Sequence, residues 1–560
     1  MKKSYAFCDN VPAFGIDLGT TNSCISVLSN EGLSNVIPLD DGRVTMPSCV
    51  LWVGKEDRFI VGHEAYEKRY ESNACYSVKT LMGSDTIVTL TDGEYKCTKT
   101  PEEISAEILK GLVKKASSVY KDIRDVVITV PAAFNVNQIE STKKAAELAN
   151  LNVLSIMKEP TSAALAYKLD NTSDNILVYD LGGGTFDVSL VNITNNSSSD
   201  SDLFDLLGIE SESSNNNDSK SVITVKATRG DNHLGGDDLD KEIYKLLGKK
   251  MKKLGCDVPR IKPVDREEML LKIEKYKKLG DFKSIIIHCD FELSNGTKWT
   301  GKVELNDEDV ERATKVIYNK TKPYIDDLID NSISTIVLVG GSTKNKYLKQ
   351  FIASDYPKFH ICDYLNPDEA VARGAAVQAK RVKFGSDDLE VFDIIGNNIG
   401  VLADGRIHPV IFKATPIPCA ETKTFTTTQD NQEQIRVAVY EGSRIHPEEC
   451  TYLGDLIIND IPKGKKGEVP VQVTLMITSD GLLTAKVSTD NETKEVQLIN
   501  VLGKKMEKDN NSDLIMFSRW EKVANDLDEP DKSKLLDLII KAKTQPNAKR
   551  DVINFLRTLK

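Results

Sequence analysis

The sequence predicts a multidomain protein: a duplicated α/β region, then an antiparallel β domain, then a short helical segment. Two observations predict the duplicated region. A strand, a glycine turn and a second strand occur together twice, as AFGIDLGTTNSCISVL at 13–28 and as ILVYDLGGGTFDVSLV at 176–191. The two Asp-Leu-Gly units, at Asp17 and Asp180, lie 163 residues apart. That is too long for a solenoid repeat and suits a duplicated domain. A third observation separates the β domain: from about 394 the apolar residues alternate strictly.

The elements follow in chain order. Thr100-Pro-Glu-Glu is a capping box with Pro101 at the first helical position. It opens an amphipathic helix with Ile104, Ile108, Leu112 and Ala116 on one face. Asp125-VVITV-Pro131 reads as a short buried strand, and Asn135-Val-Asn-Gln138 as the cap of a helix through KKAAELANL. Strands alternating with helices predict a mostly parallel sheet. Residues 193–219 are polar around one short apolar island. They predict a flexible surface insertion, with a binding tail as the alternative. The α/β pattern returns at Val222 and runs to about Lys383. Within 394–500, Ile435, Val437 and Val439 alternate along one strand. Val471, Val473, Leu475 and Ile477 turn at Ser479-Asp480-Gly481 and return through Leu483, Ala485 and Val487, which predicts a hairpin. From about 512 the pattern is helical; Pro530 starts a helix whose apolar face is Leu535, Leu536, Ile539 and Ile540.

Bulk properties bound the function. A chain of 560 residues has room for three or four domains. A net charge of −11 argues against an electrostatic nucleic-acid footprint. No apolar run is long enough to span a membrane, and MKKSYAFCDN has no apolar core of a secretory signal. The ten cysteines form no C-x-x-C and no zinc-like spacing with the six histidines. The expectation is reduced thiols in a cytoplasmic protein.

The two glycine turns carry the chemistry. A tight hairpin rich in glycine and threonine aims backbone N–H groups into one concavity and binds anions without a lysine. An aspartate at the strand end can hold a hydrated Mg²⁺, which needs only one or two carboxylates. Two such hairpins from facing domains would clamp a triphosphate from both sides. This is not a P-loop, because strands follow the turns and no G-x-x-x-x-G-K-[ST] is present. Four further stretches fit: Lys79-Thr-Leu-Met-Gly, Lys158-Glu159-Pro160 before Ala163, Ala164 and Ala166, His233-Leu-Gly-Gly-Asp-Asp238, and Ile336-VLVGGS-Thr343 at an expected helix start.

GIDLGTTNSCISV, VVITVPAAFN, EPTSAALAY, DLGGGTFDVS, HLGGDDLD, IVLVGGST and NPDEAVARGAAVQA together resemble the nucleotide-binding domain of heat shock protein 70 (DnaK-type) chaperones. KATPIP, FTTTQDNQ and VAVYEG resemble their substrate-binding domain. The short region near 245–300 and the short C-terminal part are similar to the compact bacterial HscC-like branch. The resemblance implies an actin-like α/β ATPase domain of duplicated ribonuclease-H-like lobes over 1–384. It further implies a linker over 385–393, an antiparallel β-sandwich over 394–505 and a short α-helical lid over 506–560.

By motif, the resemblance implies that Asp17 and Asp180 hold Mg²⁺ through waters. Gly19, Thr20, Thr21, Asn22, Gly182, Gly183, Gly184 and Thr185 would cradle phosphates, with Gly235 and Gly236 beside them. Lys79, Glu159 and Asp187, with Thr185 and the two metal-side aspartates, would position the attacking water and the γ-phosphate. Glu274, Lys277, Lys278, Asp281, Gly340, Gly341, Ser342, Lys344 and Asp368 would line the nucleoside. Ile399, Val401, Phe425, Ile435 and Val437 would line an extended-peptide groove, or serve as β-core. ATP or ADP, Mg²⁺ and K⁺ are the implied cofactors. Extended client polypeptides, a J-domain co-chaperone and a nucleotide exchange factor are the implied partners, with neither nucleic acid nor membrane.

The chain departs from the family pattern at defined places. Lys278 and Lys344 stand where the family has arginine against adenine, and Asp281 where it has serine. Ile139 stands where an arginine relays between domains, while the switch proline, Pro131, is kept. Glu390 interrupts the usual leucine-rich linker, and Ser155 and Lys158 replace an arginine and an asparagine. Two readings stay open, altered coupling or drift on a retained mechanism. The expected function is an ATP-dependent chaperone whose hydrolysis controls peptide affinity; the alternative is a nucleotide-bound adaptor or holdase without cycling. A sugar kinase of the same superfamily is set aside because a β domain follows the linker.

Overall fold

The structure is a computed structural model that describes residues 12–29, 32–168, 174–195, 221–279, 284–330, 332–362, 364–385, 389–497, 531–544 and 555. Two central sheets repeat one topology. In the first, Asn152–Lys158, Asp125–Val130, Phe14–Leu18, Asn22–Leu28 and Ser34–Val36 lie side by side. In the second, the order is His360–Cys362, Thr335–Val339, Asp174–Leu181, Phe186–Asn195 and Ser221–Asp231. Each sheet is centred on one of the two glycine hairpins, which are antiparallel. On the outer side of each hairpin, the neighbouring strands run parallel. The sheets are therefore mixed rather than mostly parallel. A short turn returns the chain antiparallel, whereas parallel strands need a crossover, and each half uses both.

The predicted caps form. Thr100 and Glu103 make the capping box of Pro101–Ala116, and Asn135 with Gln138 caps Val136–Leu148. Ile104, Ile108, Leu112 and Ala116 are fully buried. Two small-residue helices, Glu159–Lys168 and Ala370–Phe384, pack closely in one core with strands of both sheets. A Cβ on Gly374 would fall 1.7 Å from the Ser162 carbonyl, so only glycine lets these helices meet. This explains the alanines after Glu159. The strand Thr335–Val339 leads into a short 3-10 turn at Gly341–Lys344, and the α-helix expected there starts later, at Lys346, capped by Asn345.

The β domain has two four-stranded antiparallel sheets. The predicted hairpin closes in the register Ile477↔Leu483. Val471, Val473, Leu475, Leu483, Ala485 and Val487 all point into the core, as strict alternation requires.

Most of the segment expected as a linker lies in a strand, Leu389–Ile394. It pairs parallel with Ser221–Asp231, from Ser221↔Leu389 to Thr224↔Phe392, so Glu390 does not break it. On its other side, Asp393 and Ile394 pair with Ile417 and Pro416 of the β domain. The chain divides into two units, residues 1–500 and 501–560. The described part of the second is the helix Asp531–Thr544 and residue 555; the helix starts beside Pro530 as expected and buries Leu535 and Ile539. Most of the insertion expected at 193–219 lies outside the described residues, as does most of the expected lid. Among the described residues, nine cysteines are free thiols, and no helix is long and apolar enough to cross a membrane.

Candidate active site

The tips of the two hairpins face each other. A Cβ on Gly183 would lie 1.8 Å from Thr21 Oγ1, so this approach exists only because residue 183 is glycine. The first tip is fixed from behind by Ser48: its Oγ donates to the Gly19 carbonyl at 2.7 Å and its N–H to the Thr21 carbonyl at 2.8 Å. The second tip is fixed by a helix. Gly236 and Asp237, at the start of Gly236–Lys253, donate N–H bonds to the Gly182 and Gly183 carbonyls at 2.9 and 2.8 Å. Ser342 Oγ donates to the same Gly182 carbonyl at 2.9 Å. The Gly182 N–H closes the turn on the Thr185 carbonyl at 3.0 Å. It is spent on the turn, so it is not a donor toward the gap between the tips.

A cavity of about 80 Å³ sits between the tips and is lined by Asp17, Gly19, Thr20, Thr21, Asn22, Lys79, Glu159, Asp180, Gly182, Gly183, Thr185, Gly340, Gly341 and Asp368. Lys79 comes from a short 3-10 turn and is almost fully buried; its Nζ meets Glu159 Oε1 at 2.6 Å. The Phe134 ring lies 5.6 Å from the same ammonium. Asp17 is oriented by Thr129 Oγ1, which donates to it at 3.1 Å. Asp187 pairs in register with Asp180 and is buried, with no hydrogen-bond partner for its Oδ1. Burial, then the charge of Glu159, pushes the Asp17 carboxyl up to about 7 and that of Asp187 to about 8, and holds Asp180 well above the carboxylate range. Asp17, Glu159, Asp180 and Asp368 thus line one cavity with a single lysine, Lys79. Such a site has an excess of negative charge that a bound cation would balance.

A second cavity of about 400 Å³ shares Thr21, Asn22, Gly183, Gly341 and Asp368 with the first and adds Gly236, Glu274, Lys277, Lys278, Ser342 and Lys344. Glu274 is the hub of its far wall. It accepts from Tyr66 Oη at 2.7 Å, Arg69 Nη2 at 2.6 Å and Lys278 Nζ at 2.6 Å. Lys277 bonds the Gly236 carbonyl and Asp240, and Lys344 pairs with Asp368 at 2.5 Å. Both lysines that replace arginine are thus held by carboxylates. Gly235 touches the second tip, since a Cβ there would be 2.4 Å from the Gly183 carbonyl, and Gly184 faces Thr20 across the gap. Asp281 lies outside the described residues.

Sequence reading missed Tyr66, Arg69, Ser48 and Thr129. The cation-rich aromatic run Tyr66-Glu-Lys-Arg-Tyr70 was the available signal for the first two, because Arg69 lies over the Tyr66 and Tyr70 rings at 4.0 and 4.7 Å.

In the β domain, Ile399, Val401 and Val437 lie in the sandwich core, while Phe425 and Ile435 are only half-buried at its edge. Phe425 meets His408 edge-on at 6.2 Å.

Three further departures expected from the family pattern, Ile139, Ser155 and Lys158, lie elsewhere, on the face that meets the β domain. Ile139 is buried against Gly481 and Leu482. Ser155 Oγ donates to Asp480 Oδ1 at 2.6 Å, and Lys158 Nζ to the Ile394 carbonyl at 3.0 Å. The Val136 N–H, at the start of its helix, donates to Glu441 Oε2 at 2.9 Å, and the Val136 side chain enters the β core.

A family model described as Hsp70 protein matches residues 13–198 and 203–546. The chain is 33% identical to a protein named Chaperone protein DnaK from Thermotoga petrophila, over 87% of this chain and 79% of that one. A Chaperone protein DnaK from Mycoplasma mobile is also 33% identical, over 95% and 85%. A Chaperone protein HscA homolog from Variovorax paradoxus is 34% identical, over 84% and 75%. The chain, with its two facing glycine hairpins and its two four-stranded antiparallel sheets, therefore belongs to the Hsp70 family.

Proposed function

We propose that this chain hydrolyses ATP in the cleft between the two hairpin tips and uses that hydrolysis to control its grip on extended polypeptides. It is an ATP-dependent Hsp70 chaperone and an ATPase. The observation that carries the assignment of the cleft is the buried Lys79–Glu159 pair, set among Asp17, Asp180 and Asp187.

The residues present fit Mg²⁺ with a triphosphate. Asp17 and Asp180 supply hard oxygen ligands for an ion that keeps most of its waters, and the unpaired Asp187 Oδ1 fits a polar partner from outside the protein. Bound Mg²⁺ would supply neutralisation of charge on the phosphates. Thr20, Thr21, Gly183, Gly184 and Thr185 cradle the phosphates, and Lys79, positioned by Glu159, faces the γ-phosphate. Asp187 orients the attacking water. Glu274, Lys277, Ser342, Lys344 and Asp368 hold the nucleoside side, with K⁺ as a further cation. Phosphoryl transfer needs mainly this positioning and electrostatic stabilisation.

The half-buried Phe425 and Ile435 are the surface we assign to client contact, with Ile399, Val401 and Val437 shaping the groove floor from the core. A J-domain co-chaperone and an exchange factor would regulate the cycle, in the cytoplasm. The docked linker strand supports a cycle that couples the two domains over an uncoupled adaptor.

ATPase rate with and without an apolar peptide tests the reading. Peptide should stimulate turnover, and Asp180→Asn should lower it by roughly 10²–10³-fold with the fold retained. Hydrolysis that ignores peptide would favour the adaptor; full turnover in the variant would remove Asp180 from the site.

A further inference from the structure

The cavity of about 400 Å³ is lined from both halves of the α/β region. The nucleoside assignments above use one side of it, from Glu274, Lys277, Lys278, Ser342, Lys344 and Asp368. The other side comes from the half with the first hairpin and includes Thr45, Pro47, His63 and Tyr66. In a pocket of this size a few well-placed polar groups fix the ligand's orientation, and His63 is such a group.

His63 opens the short helix His63–Glu67, one turn before Tyr66. Residues three apart share a helix face, so the imidazole stands on the side of the tyrosine whose hydroxyl meets Glu274 at 2.7 Å. One ring nitrogen bonds the Thr45 backbone, while Nε2 is buried with no hydrogen-bond partner among the described residues. The bonded atom is therefore Nδ1. It is assigned as the donor, because the contact favours a proton on the ring. Burial, then the charge of Arg43, holds the imidazole below its ordinary 6.5, and Lys278 acts in the same direction against Asp41. A neutral ring with its proton on Nδ1 leaves Nε2 a bare acceptor. A buried acceptor without a donor is costly.

The cations of the opposite side are committed to other acceptors. Lys277 bonds the Gly236 carbonyl and Asp240, Lys278 bonds Glu274, and Lys344 pairs with Asp368. A donor for Nε2 is thus left to the ligand. A nucleoside carries such donors in its ribose hydroxyls and in the amino group of adenine.

We propose that His63 is a specificity-determining residue of this cavity: its Nε2 accepts a hydrogen bond from an O–H or N–H of the bound nucleoside. The inference rests on the reading of the cleft as the nucleotide site, and it adds a nucleoside contact from the half that otherwise supplies phosphate contacts. A site built around a hydrogen bond rejects an analogue that lacks the partner, because the protein group is then stranded.

Calorimetry on the full-length chain with Mg²⁺ tests this, with diphosphates so that no turnover intervenes. Four ligands are compared: ADP, 2′-deoxy-ADP, 3′-deoxy-ADP and the diphosphate of purine riboside, which lacks the amino group. One analogue should bind the wild type roughly 5–150-fold more weakly than ADP, and its identity names the donor. His63→Phe should weaken ADP by a similar factor and leave that analogue unaffected, since the contact is already absent. His63→Gln, whose side-chain carbonyl can accept, should recover part of the ADP affinity. Tm without nucleotide checks the fold of both variants, and the analogue series in the wild type needs no substitution. Equal affinity of the wild type for all four ligands would overturn the proposal, as would losses that simply add in His63→Phe. Failure of the wild type to bind ADP at all would overturn the nucleotide reading of the cleft and this contact with it.

Discussion

In the cleft proposed to hold the nucleotide, the hairpin tips approach so closely that bare glycine backbone is required. A Cβ on Gly183 would lie 1.8 Å from Thr21 Oγ1, and one on Gly340, at φ +81°, 2.4 Å from the Leu181 carbonyl. The face that meets the β domain is built differently. There Ile139, Ser155 and Lys158 reach Gly481, Asp480 and Ile394 with side chains from a helix and a strand. The two regions share the strand Asn152–Lys158, whose last residue abuts Glu159. The difference teaches where this sequence could change. A close approach to bare backbone admits one residue type, so Gly183 and Gly340 cannot be exchanged. A side-chain contact can be remade with another polar or apolar pair, and the departures sit in such contacts, both here and at Lys278 and Lys344.

The sharpest way to break this comparison is Gly183→Ala. The added methyl group must displace Thr21 or part the hairpin tips, and overpacking of this kind costs about 1–3 kcal/mol, or roughly 5–150-fold in ATP affinity. Thr21→Ala in the same background removes the clashing oxygen and should recover part of the loss. Calorimetry with ATP reads both. Unchanged affinity in Gly183→Ala would mean that the cleft is as tolerant as the docking face.

A middle-sized effect concerns Glu441. Burial holds its carboxyl above the ordinary 4.5, against the pull of the Val136 N–H, Asn397 and Lys158. A carboxyl raised in the docked state contributes fully to docking below its undocked value, and that contribution is lost as pH rises through the docked one. Docking should therefore weaken as pH climbs from about 4.5 toward neutrality. Glu441→Gln keeps an acceptor for Val136 and cannot ionise, so it should flatten the profile. Asp480, raised by burial in the same way, supplies the slope that remains. Fluorescence transfer between a dye on a lobe and one on the β domain, followed against pH, measures both. An unaltered slope in Glu441→Gln would place the titrating group elsewhere.

These contrasts also say what was legible in the sequence. The caps at Thr100 and Asn135, the two hairpins and the β hairpin at 471–487 are local, and their residues are the physical causes of the structure. The cleft residues were legible because glycine turns and strand-end aspartates must lie where their strands end. The mixed sheets were not, since alternation of strands and helices does not say which neighbour a hairpin selects. Tyr66 and Arg69 were missed because their partner, Glu274, lies 208 and 205 residues away. The meaning of Ile139, Ser155 and Lys158 was open for the same reason: each is defined by a partner from the β domain or the linker. Read alone they looked like losses, whereas in space each has a partner.

The smallest expected effect asks whether that partnering can be improved. Asp480 is raised by burial, and Ser155 offers it a neutral hydroxyl at 2.6 Å. Ser155→Arg would set a guanidinium opposite it. A partly buried pair of this kind contributes about 0.5–1 kcal/mol, so the docked fraction should rise roughly two- to fivefold. The cavity that borders Ser155, Lys158, Asp393 and Asp480 is only about 50 Å³, so the side chain must leave along the interface rather than fill it. Asp480→Asn in the arginine background should erase the gain, because the planar fork would lose its carboxylate. A fall in docking for Ser155→Arg alone would show that this face is packed as tightly as the cleft. In that case the departures would be constrained by shape rather than free to vary in charge.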